Sequence, residues 1–277
     1  METTPFSRID KLEACVLLDC THLKKTAEVH IPEKAGSGTY EIRWANPELF
    51  EYIIDNLWDA IDVLYLNCCP RVHDLTPLER LPNLRHLHID WNQKALSLWN
   101  MARNPQLETL VLQAFRRLRV LDGLETAICL KALGLKGDLE KKWKIDSFAP
   151  LASLTSLENL ELWEVAPLRD GFSPLHALRK LRHLNMSSNM LPVEDYARLA
   201  AALPDVTADV FAGTWSWHTH FVEGGEEKYA IELIVPVGKG KHEWRADAPG
   251  GLEKRDRYRA GFEAMVAEYR KEMNRVK

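Results

Sequence analysis

Three stretches decide the reading of this chain: Leu84-Arg-His-Leu87-His-Ile89, Leu107-Glu-Thr-Leu110-Val-Leu112 and Leu130-Lys-Ala-Leu133-Gly-Leu135. The same spacing recurs upstream as Ile61-Asp-Val-Leu64-Tyr-Leu66. Downstream it recurs as Leu157-Glu-Asn-Leu160-Glu-Leu162 and Leu181-Arg-His-Leu184-Asn-Met186. The first residues of these six units lie 23, 23, 23, 27 and 24 residues apart, and all eighteen template positions carry Leu, Ile or Met. With apolar residues at 46% of the chain, chance agreement is about one in a million. A fixed period of this length means small supersecondary units stacked in a row.

The physics of one unit follows from its alternation. Each LxL segment is a short strand that sends its Leu residues inward and the intervening residues outward. A single unit cannot bury its apolar side, so neighbours stack and share a continuous core. The return segments Leu75-Thr-Pro-Leu78-Glu-Arg-Leu81 and Phe172-Ser-Pro-Leu175-His-Ala-Leu178 carry apolar residues at a spacing of three with Pro near the start. That pattern predicts short helical or 3₁₀ turns on the convex side. A seventh, degenerate unit is expected: Val193 to Leu203 reads as a helix, and the following Val206-Thr-Ala-Asp-Val-Phe211 places Asp209 where a Leu belongs.

The LxxLxL pattern from Asp62 to Asn189 resembles the leucine-rich-repeat family, in its short-repeat class. The resemblance implies an α/β fold: a solenoid with a curved parallel β-sheet, slender convex segments and capped ends. It also implies that the protein holds another macromolecule on its concave sheet. The family's ninth position usually carries an Asn that bonds the backbone of neighbouring turns. Here the position reads Cys69, Asn92, Phe115, Asp138, Val165 and Asn189, so only two of six units keep it.

The ends of a solenoid expose core unless something covers them. Residues 1–60 are expected to form an N-terminal cap. Apolar runs at Ala14–Leu18, Glu28–Ile31 and Tyr40–Trp44 precede a helix from Pro47 to Leu57, with Asn46 as N-cap and Leu49, Tyr52, Ile53 and Leu57 on one face. The solenoid runs over 61–213. Residues 214–277 are expected to form a C-terminal cap. There Trp215-Ser-Trp217-His-Thr-His-Phe221 and Tyr229 to Val235 alternate around Gly224-Gly225, a hairpin signal. A helix follows with Tyr258, Phe262, Met265, Val266, Tyr269 and Met273 on one stripe.

Composition narrows the function classes. A net charge of −4 lacks the basic excess of a nucleic-acid binder. No apolar stretch approaches the length of a membrane span. Residues 1–11 show no basic-then-apolar leader, and the five cysteines are odd in number without metal spacing. We therefore expect free thiols and a cytoplasmic setting.

The outward strand positions form three columns: Val63, His86, Thr109, Ala132, Asn159 and His183; then Tyr65, His88, Val111, Gly134, Glu161 and Asn185; then Asn67, Asp90, Gln113, Lys136, Trp163 and Ser187. Aromatic and ionisable side chains gather at two places. The candidate partner-binding residues are Tyr65, His86, His88, Asp90 and Trp91 near one end, and Glu161, Trp163, His183 and Asn185 near the other. His86-x-His88-x-Asp90 has the residue types of a metal site, but sequence fixes no further ligand, so no metal and no cofactor are expected. There is no GxSxG elbow and no Gly-rich phosphate loop. We expect a protein-binding scaffold, of adaptor, inhibitor or immunity type, rather than an enzyme. The alternative is an enzyme or small-ligand module built on the C-terminal segment with Trp215, Trp217, His218 and His220. Lys136 to Lys144 is expected to loop out of the enlarged unit, with Trp143 either packed back on the coil or offered to a partner.

Overall fold

The computed structural model describes residues 15–30, 38–138, 141–223 and 226–275; of 221–223 and 226–229 only the backbone is described. Ala14, Ile31 and the Gly224-Gly225 turn lie outside the described residues. One parallel sheet of eight strands dominates. It comprises β1 (Val16–Asp19), β2 (Thr39–Arg43), β3 (Val63–Asn67), β4 (His86–Asp90), β5 (Thr109–Gln113), β6 (Ala132–Lys136), β8 (Asn159–Trp163) and β10 (His183–Met186). Two short strands, β7 (Trp143–Ile145) and β9 (Val165–Pro167), pair with each other beside it. The leucine-rich-repeat solenoid expected from the period is therefore the fold of this chain.

Register keeps the inward Leu residues in line. Leu64, Leu87, Leu110, Leu133, Leu160 and Leu184 pair in sequence across the sheet, as do Leu66, Ile89, Leu112, Leu135, Leu162 and, last, Met186. All are buried in one continuous core, each worth about 1.5–3 kcal/mol of burial. The convex side is made of 3₁₀ turns, including Thr76–Arg80, Ala149–Ser153 and Ser173–Ala177, each with Pro at its start. Proline fits there because the first turn needs no backbone N–H.

The sheet begins two strands earlier than the LxxLxL pattern. Tyr40 and Ile42 of β2 pair with Leu64 and Leu66, and Val16 and Leu18 of β1 pair with Tyr40 and Ile42. Helix α1 (Pro47–Leu57) runs between β2 and β3, with the Asn46 side chain accepting from Leu49 N at 2.9 Å. It buries Leu49, Phe50, Ile53, Ile54 and Leu57, and Tyr52 only in part.

Two features recur from coil to coil. The residue after a strand is left-handed at Trp44, Cys68, Trp91, Ala114 and Glu164, with φ between 49° and 58°. Each such corner costs a non-glycine residue about 1–2 kcal/mol, so packing of the coil must impose it. The residue just before each strand forms a charge ladder: Asp62, Arg85, Glu108, Lys131, Glu158 and Arg182 alternate in sign. From Arg85 on, each donates its backbone N–H to the carbonyl of the one before, as Arg85 N does to Asp62 O at 2.8 Å. The Lys131 ammonium meets Glu108 at 2.9 Å and holds its carboxyl below the ordinary range.

The ninth position takes a different role from unit to unit. Asn92 donates to Val72 O and accepts from Lys94 N and Ala95 N, the expected backbone role. Asn189 is exposed and instead accepts from the Lys142 ammonium at 2.6 Å. Cys69 is buried, and burial pushes its thiol up to about 12.

At the far end, α2 (Val193–Ala202) forms on the convex side, and Thr207 makes only a single bridge to His183. Then β11 (Thr214–Glu223) and β12 (Glu226–Pro236) form an antiparallel hairpin, with two-residue β13 (Trp244–Arg245) against β12. Helix α3 (Gly251–Arg275) packs on α2, and Val237, Phe262 and Val266 share the solenoid's core. Gly213 marks the hand-over. Its φ is +76°, and a Cβ there would meet Phe262 at 2.9 Å. Among the described residues, no helix is long and apolar enough to cross a membrane.

Candidate functional site

The outward columns fall in the expected register, but their two ends differ in packing. Near the N-terminal end the side chains close over one another. Arg43 donates to Glu41 through Nε and Nη2 at 2.5 and 3.0 Å, and Asn67 Nδ2 donates to the same carboxylate at 3.1 Å. The Tyr65 ring tilts against His88 at 5.8 Å and packs with Val63 and Val111. Tyr65 keeps only 8% of its surface exposed. The expectation that Tyr65 stands open to a partner is thus corrected: Val63 on its own strand and Val111 two strands away give the ring an apolar surface to cover. His86 and His88 are half-buried on β4 beside it. Burial holds the Asp90 carboxyl above its ordinary value. Among the described residues, no group of three His, Cys, Asp or Glu side chains is arranged to hold a metal ion.

Trp91 lies at a left-handed corner just beyond β4, where its ring meets Trp44 edge-on at 5.7 Å and 83°. Both rings remain partly exposed. Sequence reasoning singled out Trp91 and missed Trp44. The signal was weak: both follow the seventh position of a strand unit, but the unit before Trp44 has Ser37 in place of its first Leu.

The middle of the sheet is low. Gly134 leaves room for Lys136, whose Cε lies 3.6 Å from where a Cβ would stand. Its ammonium reaches Glu161 at 3.0 Å. Asn185 donates to the same carboxylate at 3.4 Å, near the upper limit for a hydrogen bond.

At the C-terminal end the surface opens. Trp163 ends β8 with 41% of its surface exposed, and His183 and Asn185 are exposed beside it. Facing them is the base of the hairpin. Trp215 donates to Ser188 Oγ at 3.1 Å, Gly238 N donates to Ser188 O at 2.7 Å, and Lys239 N donates to Leu191 O at 2.7 Å. From α3, Tyr258 donates to Val237 O at 2.6 Å and Arg259 Nε donates to Thr214 Oγ1 at 2.7 Å. These bonds hold the hairpin against the last coil. Between them lies a cleft of about 620 Å³ lined by Trp163, Trp215 and Trp217. Trp217 is 39% exposed and donates through Nε1 to Glu243 at 3.2 Å.

The cleft joins two groups that sequence kept apart, the Trp163 end of the concave sheet and the Trp215-x-Trp217 strand. Strand alternation turns His218 and His220 to the opposite face of β11. The Trp and His residues of that segment therefore do not form one site. Glu164 and Asp209 also line the cleft and escaped sequence reasoning. Asp209 had been read only as a misfit in the seventh unit.

Trp143 has a different place. It is 4% exposed, stacked on Phe115 at 5.5 Å, and donates through Nε1 to Leu118 O at 2.6 Å. The enlarged unit thus folds Trp143 inward as part of β7, the first of the two places expected for it. Residues 139–140 lie outside the described residues.

No family model and no curated protein matches this chain in sequence. Among solved structures it is similar to an internalin from Listeria monocytogenes, at 17% identity and a TM-score of 0.38, over 62% of this chain and 51% of that one. It is also similar to a leucine-rich-repeat protein from Leptospira interrogans, at 16% identity and a TM-score of 0.40, over 61% of this chain and 47% of that one. The match therefore spans about half the length of each neighbour. The likeness concerns the fold, not the residues of the cleft.

Proposed function

We propose that this chain is a binding scaffold that grips a protein partner along its concave sheet, with the open C-terminal end as the main contact. The observation that carries this is the Trp-lined cleft, where Trp163 and Trp217 keep broad ring surface in water beside Glu164, Asn185 and Asp209. Exposed aromatic rings among polar groups have the make-up of interface hot spots. His86, His88, Asp90 and Trp91 form a secondary contact at the other end, while Tyr65 supports it from beneath. No catalytic role is assigned to any of these residues. The five unpaired thiols support a reducing, cytoplasmic setting. An adaptor, inhibitor or immunity-type role fits such a surface equally well. The net charge of −4 disfavours nucleic acid as the partner.

A photo-crosslinking residue placed at position 163, compared in the producing cell with one at the exposed convex position 179, tests the reading. We expect one stoichiometric protein adduct from 163 and none from 179. Trp163→Ala should then weaken binding of that partner by about 1–3 kcal/mol. Equal trapping from both positions, or no adduct from 163, overturns the concave assignment.

A further inference from the structure

We propose that the cleft between β10 and the hairpin base takes an arginine side chain of the partner. This deepens the scaffold reading and rests on it for the source of the arginine.

The chemistry of the lining leads there by what remains unused. The indole N–H of Trp215 is spent on Ser188 and that of Trp217 on Glu243. The exposed parts of Trp163 and Trp217 therefore offer ring surface, which attracts cations through its quadrupole. Each side-chain amide is engaged through one atom: Asn189 Oδ1 accepts from Lys142, and Asn185 Nδ2 donates to Glu161. Among the charged groups of the lining, the surplus is of acceptors. Among the described residues, the exposed Asp209 carboxylate takes part in no hydrogen bond or ion pair, and Glu164 has only the Lys142 ammonium at 3.9 Å. Three carboxylates, Glu164, Asp209 and Glu243, line the cleft against one ammonium, Lys241.

A surplus of acceptors beside aromatic faces suits a cationic donor. Guanidinium meets both demands at once, because it is planar, stacks on indole and pairs with carboxylates through fixed donors. A sugar would also stack on tryptophan, but it carries no positive charge to answer the three carboxylates. Lys241 and His242 line the same cleft and are exposed. Lys241 is thus the arginine's internal competitor.

The test uses the isotope-labelled full chain, with the indole N–H signals of Trp163 and Trp217 assigned from Trp→Phe variants. The probes are acetyl-Arg-Ser-Arg-amide, its neutral citrulline counterpart and chitohexaose. We expect the arginine peptide to shift both signals saturably at millimolar concentration, with the shift weakened by added salt. Asp209→Asn, at an exposed side chain, should weaken binding about threefold or more. Lys241→Ala should strengthen it. Equal shifts with citrulline or chitohexaose, unchanged binding in Asp209→Asn, or no shift at either indole overturns the proposal. The crosslink at position 163 is read separately. An adduct without an arginine shift sinks the ligand and spares the scaffold; an arginine shift without an adduct does the reverse.

Discussion

The two ends of the concave sheet are built from the same strand positions, yet one is closed and the other open. At β2 to β4, Arg43 and Asn67 donate to Glu41, the Tyr65 ring lies against His88, and Tyr65 is nearly buried. At β8 and β10, Trp163 has no ring partner among the described residues of the sheet and faces a cleft. The difference lies in the neighbours. Tyr65 lies beside Val63 and Val111, which it can cover, whereas Trp163 follows the low Gly134 and Lys136 step and meets a hairpin set apart from the sheet. An outward position on a strand is therefore not by itself a surface for a partner; what fills the adjacent strand decides.

Removing the hairpin wall should have the largest effect on that contrast. A chain ending after Gly213 loses Val237, Phe262 and Val266 from the shared core. We expect aggregation or loss of cooperative unfolding by calorimetry, and a soluble, equally stable truncation would show the open end to be separable. Next come the two tryptophans on either side of the coil. Trp143→Ala should cost about 3–5 kcal/mol in chemical denaturation, whereas Trp163→Ala should stay within about 0.5 kcal/mol. Similar losses for both would break the distinction between filled and open positions. At the closed end, Tyr65→Ala should cost about 1–3 kcal/mol. A neutral result there would return Tyr65 to the binding surface.

The smallest effect concerns Asp90. Burial, aided by Asp138 and opposed by a hydrogen bond from Trp91 N and by Lys136, raises its carboxyl above the ordinary value of 3.8. The folded chain thus holds this proton to higher pH than the unfolded chain does. Stability is unaffected by the group below about pH 4 and falls as pH rises from there through the raised value. Asp90→Asn should raise stability at pH 7, read by chemical denaturation, by about 0.5 kcal/mol or less, with the gain vanishing near pH 4. A gain that persists in acid would assign it to something other than the charge.

The strands of the main sheet from β3 to β8 were legible to the residue, because three Leu-type positions per unit over-determine the register. Strand β10, by contrast, ends at Met186, and Ser187, expected to face outward, is buried with its Oγ accepting from Glu164 N. Strands β1 and β2 were legible only as strand-like runs of the cap, Ala14–Leu18 and Tyr40–Trp44, and not as coils of the same sheet, although Val16, Tyr40 and Leu64 pair in order. The unit's first position, filled by Ile61 and Leu84 later on, holds Glu13 and Ser37 there. A two-residue remnant does not declare a repeat. The cleft was half legible. Trp163 and Asn185 followed from alternation, and Glu164 is the next residue after Trp163, but Trp217 is brought to them by tertiary bonds at Ser188 and Leu191. No local spacing encodes those bonds. The fate of Tyr65 and Trp143 was likewise decided by side-chain volume across strands, which a period does not record.

The alternating ladder of Asp62, Arg85, Glu108, Lys131, Glu158 and Arg182 gives this solenoid a parity. Repeat proteins change length by duplicating or losing whole coils. Here the loss of one internal coil would set two like charges side by side on adjacent rungs, which is unfavourable. The loss of two neighbouring coils would restore the alternation. A lineage of such chains should therefore drift in length by even steps more readily than by odd ones.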